Sequence, residues 1–146
     1  MITKTFDEMT GNGQISTSIA VLQKSGGFLL TPTYVRLSFA YVIGEDSSSA
    51  WLLVTSQQMD WMFLSDTNVL ALVDGKRSQF EGYIRDSDTE IISNDVVCIE
   101  EMHALVSLEF FQELANSTSA RFRLAGIDYE LPAELRADLA ALLEEI

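Results

Sequence analysis

The clearest hydrophobic alternation in the chain runs over residues 33–43. Val35, Leu37, Phe39, Tyr41 and Ile43 alternate with Tyr34, Arg36, Ser38, Ala40 and Val42. A period of two is the mark of a strand with one buried face. Residues 50–56 and 60–65 read as two further strands joined at Gln57-Gln58. The second is apolar on both faces, Trp61 and Phe63 against Met62 and Leu64, which suits a central strand or one covered by a helix. Between the apolar run 69–73 and the run 76–80 stands Asp74-Gly75. That pair between two strand-like runs predicts a type I′ hairpin, because both central residues must accept positive φ. The turn sets the register of its two strands and so decides which side chains reach the core.

The remaining pattern is weaker. Residues 1–14 read as an N-terminal arm with a flexible joint at Gly11-Asn12-Gly13. A strand over 15–23 is ended by Ser25-Gly26-Gly27. Residues 80–85 continue the hairpin, and Asp86-Ser87-Asp88-Thr89 reads as a polar turn or strand edge. Residues 91–92 and 96–102 form another pair of strands, or one bent strand, broken at Ser93-Asn94-Asp95.

Helical spacing begins only at Ser107, an N-cap with Glu109 favourably placed in the first turn. Leu108, Phe111, Leu114 and Ala115 share one face, Phe110 falls off it, and Asn116-Ser117 ends the helix. Residues 121–124 and 127–131 read as a last hairpin around Ala125-Gly126. Pro132 opens a second helix, where its missing N–H costs nothing. Leu135, Leu139, Leu142, Leu143 and Ile146 make its apolar stripe. Strands followed by helices predict an α+β fold: an antiparallel sheet or small sandwich of about seven to nine strands, with two helices in the C-terminal third. Residues 15–146 are expected to form a single domain.

Composition adds bounds. A chain of 146 residues with 47% hydrophobic and 10% aromatic residues has the material for one sizeable core. The net charge of −13 is unevenly spread. Residues 1–80 carry seven acids against five bases, and residues 81–146 fifteen against four. So acidic a half repels phosphate backbones and anionic lipid, which argues against nucleic-acid and membrane partners. Its sharper use is as a docking face for a basic protein. With no h-region near the N-terminus and no long apolar run, a cytoplasmic protein is expected.

Candidate chemistry is sparse. Cys98 and His103 are the only cysteine and histidine. Their odd separation puts them on opposite faces of one strand, so they form no local dyad. Asp86, Asp88 and Glu90 have the oxygen-rich i, i+2, i+4 spacing that suits calcium. The positions where an EF-hand needs glycine and glutamate hold Ile91 and Val97. Two of these carboxylates stand ~7 Å apart along one strand face, the separation of an inverting glycosidase, but acidic strands offer such pairs freely. Lys76-Arg77 reads as a hairpin tip, no glycine-rich phosphate cradle is present, and no cofactor is expected.

Aromatic residues on the sheet, Trp51, Trp61 and Tyr83 with Tyr34 and Tyr41, could stack on a sugar or peptide, although core packing is their commoner use. The leading expectation is a small, acidic, non-catalytic domain acting through association with itself or a protein partner. Phe110, Trp51, Trp61 and Tyr83 are its candidate surface. A small-ligand or carbohydrate binder using the aromatic sheet face is the rival, and a carboxylate-based hydrolase the third reading.

Overall fold

The computed structural model describes the backbone of residues 1–27 and 30–146, and side chains outside 23–31. In chain order the strands are β1 (Thr3–Asp7), β2 (Asn12–Ser16), β3 (Ala20–Gly27), β4 (Leu30–Ile43), β5 (Ser48–Gln58), β6 (Asn68–Val73), β7 (Lys76–Ile92) and β8 (Asp95–Val106). Helix α1 (Leu108–Ala115), β9 (Ala120–Leu124), β10 (Ile127–Glu130) and α2 (Ala133–Glu144) complete the chain. Every strand pairing is antiparallel, in the order β1-β2-β4-β5-β8-β7-β6-β9-β10. Strand β3 shares with β2 the same edge of β4. The path curls until β10 approaches β3 without closing into a barrel.

The class is therefore the expected α+β, with ten strands instead of about seven to nine. Two differences raise the number. Residues 1–14 supply β1 and the start of β2, an edge hairpin paired to β4. The single strand expected over 15–23 is two, separated at residues 17–19. Ser25-Gly26-Gly27 lies within β3, whose register against β4 shifts there.

One expected strand is absent. Residues 59–67 form a loop whose alternating apolar residues imitate a strand. What holds it is Glu100, fully buried on β8. Its carboxylate accepts the backbone N–H of Met62 at 2.5 Å and of Phe63 at 3.0 Å. Both donors would otherwise need a ladder partner. With them satisfied, the loop turns inward and Phe63 fills the core.

Turns carry much of the register. Asp74 and Gly75 have φ of 47° and 84°, and Val73 pairs with Lys76, so this is the predicted two-residue turn. Ser93-Asn94 and Ala125-Gly126 also take positive φ between antiparallel strands. The first of these joins β7 to β8 directly. Accordingly Asp86–Thr89 is not a turn but part of the long strand β7.

Strand β7 pairs with β6 as far as Glu81 and with β8 from Gly82 onward. At that corner the Gly82 N–H donates to the Thr67 carbonyl at 2.8 Å. A Cβ at position 82 would lie 2.8 Å from the same oxygen and 3.0 Å from the Met102 sulfur, so the close approach needs glycine.

The inner face of the sheet carries Val35, Leu37 and Phe39 from β4, Leu52 and Val54 from β5, and Met102 and Ala104 from β8. Both helices pack against one another and contribute to this core. Ser107 caps α1 by accepting the Phe110 N–H at 3.0 Å. Phe110, expected off the buried face and available to a partner, is 3% exposed. Its ring packs on Phe80 and Phe122, while Phe111 packs edge-on against Phe39. With sheet and α2 both against it, α1 buries more than one stripe.

Pro132 is the N-cap of α2, whose Leu135, Leu139 and Leu142 are buried. Ile146 lies beyond the helix and outside its stripe. Asp138 ties α2 to the 17–19 segment by accepting the Ser18 N–H at 2.9 Å and the Ser18 hydroxyl. Among the described residues no helix is long and apolar enough to cross a membrane.

Candidate functional site

Strand parity disposes of the nucleophile pair first. Cys98 faces the interior and is buried, whereas His103 points outward with its Nε2 2.9 Å from Glu101 Oε1. Burial pushes the Cys98 thiol up from its ordinary value, and the negative charges of Asp60 and Glu100 add to this. A thiol held protonated is a poor nucleophile.

Asp86, Asp88 and Glu90 are exposed along the second half of β7, on the stretch that runs to the Ser93-Asn94 turn. Among the described residues no three acidic, histidine or cysteine groups converge to hold a metal ion. The two clefts among the described residues are lined by other side chains. All three carboxylates are exposed rather than enclosed.

Trp51 and Tyr83, both singled out from sequence, are brought together. Cross-strand register places Trp51 of β5 opposite Leu105 of β8, Leu53 opposite His103, and His103 opposite Tyr83 of β7. All five point outward. The Trp51 and Tyr83 centroids are 6.2 Å apart at 83°, and His103 lies 6.4 Å from Trp51 and 6.0 Å from Tyr83. The Trp51 indole N–H donates to Ser49 Oγ at 2.7 Å, which fixes the ring. Tyr83 is 46% exposed and Leu105 54%. The result is an apolar strip crossing three strands, with its rings edge to face rather than in one plane. Below it Arg36, Thr55, Glu101 and Asp86 form a polar row in register.

Trp61 stands apart, 39% exposed in the 59–67 loop, and Phe110 is in the core. Leu53 and Leu105 went unread in the sequence, and His103 was weighed there only as a partner for Cys98. Their signal was there: residues 99, 101, 103 and 105 alternate with the buried Glu100, Met102 and Ala104. Only the register with β5 turns that alternation into a patch.

Comparison with protein-family models, with curated proteins and with solved structures finds no match to this chain.

Proposed function

We propose that this chain is an association domain that pairs with a second copy of itself through the outward face of β5, β8 and β7. The observation that carries the reading is the strip of Trp51, Leu53, His103, Leu105 and Tyr83, which spans three strands and leaves Leu105 and Tyr83 about half open to water. Apolar patches of this kind mark interaction sites more often than scattered exposed leucines do. Aromatic residues are also enriched at interface centres.

The face suits a flat partner, because no cavity opens over it among the described residues. A second copy offers the same strip, as a two-fold interface requires. The edge-to-face ring packing disfavours the stacked sugar, which needs a free ring face. Two copies each carrying −13 repel one another, so the apolar contact must overcome that repulsion.

Sedimentation velocity at low and high salt tests this. Screening shortens from ~10 Å at 0.1 M to ~3 Å at 1 M, so a dimer held by this face persists or strengthens as salt rises. Leu105→Glu and Tyr83→Asp return it to monomer with an unchanged circular dichroism spectrum. A monomer under every condition, or a dimer indifferent to both substitutions, overturns the reading. A complex with a basic protein that dissolves as salt rises would replace it.

A further inference from the structure

Roughly 20 Å along β7 from Tyr83, at ~3.3 Å per residue, the same strand enters a different surface. There a cleft of about 500 Å³ opens on the outward side of β7, β6, β9 and β10. Its floor is Leu70 and Leu72 of β6. On one side stand Arg77 and Gln79 of β7, and on the other Arg121 and Arg123 of β9, with Asp128 of β10 beyond. Register puts Leu72 between Arg77 and Arg121, and Leu70 between Gln79 and Arg123. Three of the nine basic side chains in a chain of net charge −13 thus line one cleft.

The three arginines are not equivalent. Arg123 is committed: its Nε and a terminal nitrogen meet the two oxygens of Asp128 at 2.6 and 3.1 Å. That fork lowers the Asp128 pKa and raises that of Arg123. Arg77 and Arg121 form no ion pair among the described residues. Glu130 is opposite Arg121 in register, yet no salt bridge joins them. Neighbouring strands are about 4.8 Å apart, so these two guanidiniums rise from backbones roughly 10 Å apart across Leu72, within converging reach of one small anion.

We propose that this cleft binds a small amphipathic anion, a carboxylate or phosphate on a short apolar body. Arg77 and Arg121 grip the charged group through their planar N–H forks, which match carboxylate and phosphate oxygens. Leu70 and Leu72 receive the apolar part, and Gln79 offers an amide at the rim. The volume is that of a small-molecule site, about 300–1,000 Å³. The proposal does not depend on self-association, which uses another surface.

Isothermal titration with octyl phosphate and with octanoate, both as monomers in solution, tests it on the full chain. Inorganic phosphate, acetate and octanol are the comparators. Saturable binding of the amphipathic anions is expected, weakening with salt. Arg77→Gln and Arg121→Gln each weaken it about tenfold, the scale of one lost charge-assisted hydrogen bond. Arg85→Gln, an exposed charge outside the cleft, leaves it unchanged. Because positions 77 and 121 are exposed, the variants keep the wild-type melting temperature. Absence of saturable binding overturns the proposal, as does binding that survives the double Arg77→Gln, Arg121→Gln variant. Octanol binding as tightly as octanoate refutes the anion grip. Inorganic phosphate binding as tightly as octyl phosphate refutes the apolar floor.

Discussion

Asp74 and Ser119 are joined twice: the Asp74 N–H donates to the Ser119 carbonyl at 2.9 Å, and the Ser119 N–H donates to the Asp74 carboxylate at 2.9 Å. The same carboxylate accepts the Thr118 N–H and hydroxyl. One residue therefore shapes the β6–β7 turn and holds the segment that leads into β9. Asp74→Ala should lower the melting temperature and speed hydrogen exchange at the Thr118 and Ser119 amides. Unchanged exchange at those two amides would show that the clasp does not form in solution.

Gly75 isolates the other half of that turn. Its φ is 84° and a Cβ there would meet nothing within 4 Å, so a substitution costs backbone strain alone. Gly75→Val should cost about 1–3 kcal/mol, the scale of such strain. A wild-type midpoint in urea would contradict the type I′ geometry.

Local signals of this sort were legible in the sequence. Asp74-Gly75 and the Ser107 cap are decided within a few residues, and both appear where the pattern puts them. The 59–67 loop was not legible, because its fate rests on Glu100, 37 residues on from Phe63. Nothing near Met62 reports that a buried carboxylate will take its N–H. The three-arginine cleft is similar: Lys76-Arg77 reads alone as a hairpin tip until the register with β6 and β9 brings Arg121 and Arg123 to it. The burial of Phe110 was illegible for another reason. Helical spacing reports one apolar face, while α1 is covered on more than one.

The Glu100 anchor can be tested directly. Hydrogen bonds from buried N–H donors to a carboxyl group contribute about 1.5–3 kcal/mol each, so Glu100→Ala should be strongly destabilising and should raise protease cutting within 59–67. Ser56, paired with Glu100 in register, has a buried hydroxyl with no hydrogen-bond partner. Ser56→Ala should therefore be neutral or slightly stabilising. Equal losses from the two substitutions would mean the loop is held by something other than this carboxylate.

The corner at Gly82 makes a sharper steric test than the turns. An alanine methyl there must displace a backbone oxygen, and overpacking of this kind costs about 1–3 kcal/mol. On the other side of the core, Leu139→Ala should cost about 2–5 kcal/mol as transfer and cavity losses combine, since Leu139 is fully buried. A Leu139→Ala protein with unaltered stability would mean α2 is not docked on the sheet. Gly82→Ala at wild-type stability would mean the β6–β8 corner is looser than 2.8 Å.

Acid sensitivity follows from the carboxylates. At Asp138 burial favours the neutral form, but the N-terminal ammonium and the two Ser18 donors outweigh it, and the net shift is below the ordinary 3.8. Asp74 is lowered by the Ser119 and Thr118 donors, and Asp128 by Arg123. A carboxylate with a depressed folded pKa stabilises fully above its unfolded value and loses that contribution as pH falls through the folded value. Thermal stability should thus be flat from neutral pH down toward the usual carboxylate range and fall steeply below about 3.8. Asp138→Asn should start lower at neutral pH and fall less in acid, because one of the three titrating groups is gone. If the wild-type and Asp138→Asn melting curves instead run parallel through the acid range, the hold of Asp138 on Ser18 contributes nothing to the pH dependence.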